Sequence, residues 1–538
     1  MTAAHDAAPP GSRSRSAAGN RNPWLIAVVV SIATFMLVLD TSIANVALLQ
    51  IAGSLAASQE EATWVITTYL VANAIVVPVS GWLATVIGRK RFYMLCVAIF
   101  TAASLLCGFA WNMTSLIAFR VLQGLGGGGM APSEQAILAD TFRPDQRAQA
   151  FALYGIAVII APTVGPTLGG WLTDNFSWHW IFFINVPFGL LSLGLVQWLL
   201  VEPPALEEER RELLRKGLKI DYVGFVLVAL WLGCLEIVLD EGQLKDWFAS
   251  NFIVVFTAIS VVSLLILIPW ELRRDDPIVD VRLVFGRQFG TSFLIMMAVG
   301  AVLFASTQIL PQLLQEAFGY SAYLSGLSMM PGGIAMLVMM PLAGQITNYI
   351  QPKYLIAFGL AAISVAMWHM TSLVPNANFH FFEFARVFQM IGLPFLFIPI
   401  NTVAYAGLRP DQTNNASALI NMARNLGGSF GISLANMVVA RRGQFHHERL
   451  AEAITPGSPN YENALQQAQH FFEAQGANVA HAKQLAFAWI AQTVGQQSVL
   501  LAYMDVFWVS SIFALCMVPL VLLLLKRIDL KAAHAPVH

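Results

Sequence analysis

Asp40, Arg120, Glu134, Glu236, Arg386 and Arg424 all stand inside long apolar runs of this 538-residue chain. A charge in such a run is costly, needs a partner, and marks a path for ions or substrate. The chemistry open to these residues is reversible protonation. If each run is a helix rising 1.5 Å per residue, Asp40 lies about 11–13 Å below the outer end of the first run, and Arg120 about 8–10 Å below the outer end of the fourth. The matching depths predict that they meet. Burial makes a carboxylate hold a proton more tightly, and a nearby arginine makes it hold one less tightly. Making or breaking that proximity would therefore load or release a proton. The alternative is a permanent ion pair that ties the two helices together.

Glu134 lies four residues before the turn that begins near Leu138. It is either a proton relay toward the inside or a side chain that snorkels to the interface. Glu236 and Asp240 share a helix face by their i, i+4 spacing, and Glu236 is expected to be peripheral to coupling. Glu383 and Arg386, three apart, can pair along one face. Arg424 sits between Asn421 and Asn425, where hydrogen bonding between helices is the expected role.

The elements that position these groups come from the apolar runs. Runs long enough to cross a bilayer start near residues 24, 62, 92, 115, 150, 179, 221, 252, 289, 323, 354, 381, 415 and 504. Fourteen transmembrane helices are predicted. They repeat. Arg120-Val-Leu-Gln-x-x-Gly recurs as Arg386-Val-Phe-Gln-x-x-Gly, 266 residues later, and the same offset carries Arg143-Pro-Asp-Gln onto Arg409-Pro-Asp-Gln and Gly165 onto Gly431. Pro78-x-x-Gly81 recurs as Pro341-x-x-Gly344 at offset 263, with Lys90 on Lys353. Parallel repeats of this kind are a transporter design, with the substrate path between the halves. Such a chain is expected to be a pump-like protein and not an enzyme.

Composition excludes an ordinary soluble domain: 57% of the residues are hydrophobic and only 11% charged, with a net charge of −1. The four cysteines fall in apolar segments, which suggests neither a disulfide framework nor a metal site. Placing both termini in the cytoplasm puts 22 of the 30 lysines and arginines on that side. The expected organisation is a disordered cytoplasmic tail (1–22), a six-helix bundle (23–201), a cytoplasmic linker (202–220) and two inserted helices (221–272). A second six-helix bundle follows (273–440 and 504–527), interrupted by a long periplasmic segment of helical character (441–503), and a short tail (528–538) ends the chain. That segment reads as either a solvated cap or a docking surface for a partner protein.

Four signatures carry a family resemblance. They are Leu39-Asp40-Thr41-Ser42-Ile43-Ala44-Asn45-Val46-Ala47; Gly81-Trp82-Leu83-Ala84 ending at Gly88-Arg89-Lys90-Arg91; Arg120-Val121-Leu122-Gln123-Gly124; and Gly165-Pro166-Thr167-Leu168-Gly169-Gly170. The chain resembles the major facilitator superfamily, in its fourteen-span EmrB/QacA-like family of drug:proton antiporters, and is most similar to EmrB-type exporters. The resemblance implies an all-α major facilitator fold of two six-helix bundles plus two inserted helices, in a bacterial inner membrane. It also implies drug:proton exchange, for which Asp40, Arg120 and Glu134 are the candidate coupling residues, and a conformational role for Gly81, Gly88, Arg89, Gly165, Pro166, Gly169 and Gly170. One departure stands out. The family's loop signature carries an acidic residue where this chain has Thr85 and a basic one where it has Val86, which puts its usual locking salt bridge in question.

The glycines Gly124, Gly126 to Gly129, Gly165, Gly169 and Gly170 strip two spans of side chains and are expected to let helices approach closely. Pro162 and Pro166 remove backbone donors and bend the fifth span. Met36, Tyr69, Asn73, Gln123, Met297, Phe304 and Gln308 are candidate cavity residues; with few charges among them, they suit large hydrophobic or amphipathic ligands. No G-x-x-x-x-G-K-[ST] loop occurs, so a proton gradient is the expected energy source and no cofactor is needed. Expected partners are small amphipathic substrates, protons and lipids, with no nucleic acid. The resemblance further implies a periplasmic adaptor and an outer-membrane channel. Cargo stays open between drugs and one specific metabolite or lipid (a fatty acid, siderophore or lysolipid), as does a facilitator without proton coupling.

Overall fold

The computed structural model describes residues 22–202, 207–208, 210–211, 215, 221–274, 277–406, 408, 412–454 and 457–525. The two expected tails, apart from Asn22, and most of the 202–220 linker lie outside the described residues. All regular elements among the described residues are helices. The first half comprises α1 (Pro23–Ser54), α2 (Gln59–Ile87), α3 (Arg89–Gly108), α4 (Met113–Gly128), α5 (Met130–Thr141), α6 (Pro144–Asn175), α7 (Trp180–Phe183) and α8 (Asn185–Leu199). Next come α9 (Tyr222–Glu241) and α10 (Asn251–Leu272), then the short α11 (Val281–Phe285). The second half comprises α12 (Arg287–Glu316), α13 (Ala322–Ile346), α14 (Pro352–Met370), α15 (Phe379–Gly392), α16 (Pro394–Ala404), α17 (Thr413–Ala453), α18 (Pro459–Ala474) and α19 (Val479–Leu524).

Local chemistry sets many of the boundaries. Ser58 and Glu61 form a reciprocal capping box at the start of α2, and Asn112 with Ser115 does the same for α4. Gly88 turns the chain from α2 into α3 at φ +96°, a conformation that a side chain would strain. The helix that begins at Met113 is interrupted at Gly129, and the one that begins at Phe379 is interrupted at Leu393, just before Pro394.

Among the described residues, twelve helical stretches are long and apolar enough to cross a membrane. The two other expected spans fall outside that number for clear reasons. The α4–α5 pair is split at Gly129 into pieces of 16 and 12 residues, and α17 carries four arginines, two histidines and five asparagines along its length. The segment expected to be an outer loop is not separated from the membrane helices. Instead α17 runs unbroken to Ala453 and α19 begins at Val479, with α18 packed on α19 through Leu465, Ala468 and Ala486. Helical hydrogen bonding continues there because no proline interrupts α17, and the single Gly443 does not break it.

Packing is duplicated as the sequence repeat requires. Helix α1 lies along α6 as α12 lies along α17, and α2 along α4 as α13 along α15. The halves meet through α6 against α13 and α2 against α17, while α9 packs on α10, α2 and α17.

Candidate functional site

Asp40 on α1 is 2% exposed and Arg120 on α4 is fully buried. The Arg120 Nη1 donates to Asp40 Oδ2 at 2.6 Å and to Gln123 Oε1 at 2.7 Å, and its Nε donates to the Val65 carbonyl at 2.9 Å. The other carboxylate oxygen of Asp40 accepts from Gln123 Nε2 (2.9 Å) and from Asn185 Nδ2 (2.7 Å). Gln123 also donates to Ser104 Oγ at 2.6 Å. The Tyr69 ring lies 4.2 Å from the guanidinium carbon, an orientation that favours the cation. One carboxylate thus draws together α1, α2, α3, α4 and α8. Taking either charge away leaves the other buried and alone, which costs about 3–5 kcal/mol.

Glu134 on α5 is fully buried and accepts a hydrogen bond from the Thr34 hydroxyl of α1. The snorkelling alternative is therefore corrected: α5 is packed beneath α1, so the carboxylate turns inward and its second oxygen has no partner. Thr34 precedes Asp40 by six residues, about 9 Å along the same helix. The two carboxylates are the ends of one stretch of α1.

Next to Glu134, the two halves are stitched by side chains. Asn421 of α17 donates to Gln135 at 2.7 Å, and Ser417 donates to the Pro132 carbonyl at 2.5 Å. Arg424 donates to the Tyr154 hydroxyl of α6 at 2.9 Å. Arg424 thus bonds between helices as expected, and the bond crosses from one half to the other.

The motif residues divide. Arg89 pairs with Asp140 and donates to the Ala136 carbonyl at 3.1 Å, within its own half. Where the family's loop signature carries an acid, Thr85 accepts a neutral hydrogen bond from Asn414 of the other half at 3.2 Å. A Cβ on Gly81 would stand 2.6 Å from Asn415 Oδ1, so a bare helix surface is what lets α2 and α17 touch. Pro166 has no N–H to give the Pro162 carbonyl, and Ser42 of α1 supplies the donor at 3.4 Å. Gly165 and Gly169 make room for Ser42 and Ile43, whereas Gly170 faces open space, against the packing role expected of it.

Of the cavity candidates, Met36, Tyr69 and Gln123 are sealed in helix packing, and Tyr69 and Gln123 serve Arg120. Asn73, Met297 and Phe304 are half-buried and Gln308 is exposed. Glu383 binds His380 Nδ1 at 2.6 Å and not Arg386, because the two i, i+3 options compete and Arg386 turns into the helix packing. Glu236 is 5% exposed and accepts from Ser429 of α17 at 2.7 Å, which places it at a contact between helices. Sequence reasoning missed Asn185, Gln135 and Tyr154. Asn185 was within reach of the rule that singled out Asp40, being a polar side chain in an apolar run.

Duplicated helical halves with a buried, liganded charge pair define a polytopic membrane transporter. Residues 30–432 match the Major Facilitator Superfamily. The chain is 36% identical over 488 residues to "Multidrug export protein EmrB" of Escherichia coli strain K12, covering 90% of this chain and 92% of that one. It is 34% identical over 497 residues to "Fatty acid resistance protein FarB" of Neisseria gonorrhoeae, covering 92% and 95%. The solved structure of the proton:xylose symporter XylE bound to 6-bromo-6-deoxy-D-glucose shares the fold, at a TM-score of 0.55 and 14% identity over 92% of this chain and 96% of that one. The chain belongs to the major facilitator superfamily, among its EmrB-like exporters. It is a multi-pass transporter of the inner membrane and not an enzyme.

Proposed function

We propose that this protein exports hydrophobic and amphipathic compounds in exchange for protons, by alternating access between its two halves. The observation that carries the reading is the sealed Asp40–Arg120 pair, a carboxylate held by one cation and two amides. A proton arriving on Asp40 removes its charge and weakens its hold on Arg120. Helix α1 is then freer to move against α4, and Thr34 transmits the change toward Glu134. Cargo and proton each bias the same equilibrium through their different affinities for its two states. Asn73, Met297, Phe304 and Gln308 line the cargo path in this scheme, and cross-half contacts through Gly81, Thr85, Gln135 and Tyr154 close one end of it.

The scheme uses fourteen spans, counting the split α4–α5 pair and the polar α17, with both termini in the cytoplasm. The α17–α18–α19 projection then lies in the periplasm. There it would meet an adaptor protein that leads to an outer-membrane channel. The name of the gonococcal relative favours a second cargo class, fatty acids, over a single-metabolite exporter.

The test is purified protein in liposomes with a fluorescent lipophilic cation and an imposed pH gradient, comparing wild type with Asp40→Asn. Flux that follows the gradient and vanishes in the variant supports the reading. Flux indifferent to the gradient makes the protein an uncoupled facilitator, and coupled flux that survives in the variant moves the proton site to Glu134.

A further inference from the structure

The second half keeps the arginine of the charge site and discards what neutralises it. The offset of 266 that carries Arg120 onto Arg386 and Gln123 onto Gln389 also carries Asp40 onto Ser306. The hydrogen bonds follow the repeat. Arg386 Nη1 donates to Gln389 Oε1 at 2.8 Å, as Arg120 does to Gln123, and Gln389 donates to Ser306 as Gln123 does to Asp40. Ser306 spends its own proton on the Leu303 carbonyl and brings no charge. The offset of 263 carries Tyr69, the ring against Arg120, onto Gly332, whose bare surface lies against the Arg386 stem. Counter-ion and aromatic partner are both gone.

Arg386 is nonetheless 2% exposed. Of the five N–H donors of a guanidinium, one goes to Gln389 and one to the Thr307 hydroxyl at 3.3 Å, and Nε has no partner. No carboxylate among the described residues pairs with it; Glu383, one turn away, is taken by His380. A guanidinium keeps its charge in proteins, and a buried charge without a counter-ion is not a stable arrangement. Beside it lies a small cavity bounded by Ser306, Leu310, Met367, Met370, Gln389 and Phe507. Its wall is apolar except at the end where Arg386, Gln389 and Ser306 converge, and the two methionines can yield to a ligand.

We propose that Arg386 is the cationic half of an anion site, which takes a small monovalent anion where the first half has a carboxylate of its own. The anion is either the carboxylate head of an acyl-chain compound or a halide from solution. A guanidinium presents paired donors that match a carboxylate. The cavity's free space of about 10 Å³ takes only a water-sized group, so an acyl chain enters only where Met367 and Met370 move aside. The carboxylate arm deepens the export reading by naming a cargo class. It is measured as binding, without a gradient, so that a failure of proton coupling leaves it standing.

The experiment is thermal unfolding of the purified full chain in halide-free HEPES buffer. It is titrated with sodium chloride, with dodecanoate, and with dodecanol as the uncharged chain-matched control. Wild type should show a saturable rise in Tm with an anion and none with dodecanol. Arg386→Gln should lose that rise. Ser306→Asp rebuilds the carboxylate of the first half; it should unfold at a higher temperature than wild type in the absence of anion and no longer respond to it. Should Arg386→Gln fail to fold, Ser306→Asp carries the test. A response to chloride assigns the free anion, and a response to dodecanoate at concentrations where chloride is silent assigns the acyl carboxylate. No rise with either anion, or the same rise in Ser306→Asp as in wild type, overturns the proposal.

Discussion

Arg424 Nη1 lies 2.9 Å from the Tyr154 hydroxyl, and this one hydrogen bond joins α17 of the second half to α6 of the first. Both side chains are buried. A hydrogen bond to a charged group contributes about 1.5–3 kcal/mol. Tyr154→Phe removes it and leaves the guanidinium short of an acceptor, while the ring still fills its space. The equilibrium between this arrangement and the one with the halves parted should move by about 10- to 100-fold toward parting. Spin labels at the ends of α6 and α17 would report it as a longer mean distance. An unchanged distance distribution would mean that the bond is incidental to the contact.

The charge site makes a prediction about stability that is separate from transport. Asp40→Asn should destabilise the protein by about 3–5 kcal/mol, because Arg120 is left buried without its counter-ion. Asp40→Asn combined with Arg120→Gln removes both charges and should recover most of that loss. Thermal unfolding of the single and double variants measures the coupling. Equal losses in the two would show that the ion pair contributes little beyond its neutral hydrogen bonds.

Two glycines of one motif should behave oppositely. A Cβ on Gly165 would stand 2.4 Å from Ser42 Oγ, the group that satisfies the Pro162 carbonyl, while a Cβ on Gly170 would meet nothing within 4 Å. Gly165→Ala should cost about 1–3 kcal/mol by overpacking. Gly170→Ala should be neutral or stabilise by up to about 1 kcal/mol, through helix propensity alone. Unfolding midpoints of the two variants decide this. If both fall together, the motif acts through backbone flexibility and not through the α1–α6 contact.

The ion pair was legible because helical rise is a constant: counting residues from two run ends placed Asp40 and Arg120 at one depth. The repeat was legible because arginines, glycines and prolines interrupt apolar helices rarely enough to be matched by offset. Competition between partners was not legible. Glu383 has His380 and Arg386 at the same spacing, and only packing chooses between them. Glu134 sat four residues from a turn, yet the turn lies beyond packed helix and the side chain faces inward. Thr85 puts the usual salt bridge in question from sequence alone, but the hydrogen bond it accepts from Asn414 joins segments 329 positions apart. Fourteen runs could be counted from the sequence. The unbroken run of α17 to Ala453 and the start of α19 at Val479 could not, since a change in polarity does not by itself mark the end of a helix.

The inserted helix α9 offers the last prediction. Its carboxylates reach both halves: Asp240 accepts from Thr67 of α2, and Glu236 accepts from Ser429 of α17 at 2.7 Å. Helix α9 therefore straps the seam where α2 meets α17. Separation of the halves along that seam must break one of the two bonds, and the Ser429 bond is the one that crosses. Glu236→Gln keeps a hydrogen-bonding side chain there and should leave the seam nearly as it is. Glu236→Ala leaves the Ser429 hydroxyl without this acceptor and should loosen α9 from α17 by about 1 kcal/mol, roughly a fivefold rise in the open population. Amide hydrogen exchange in α9 and in the facing turns of α17 measures that population. Faster exchange in Glu236→Ala alone supports the strap. Equal exchange in wild type and Glu236→Ala would show that α9 is held by its apolar contacts with α2 and α10.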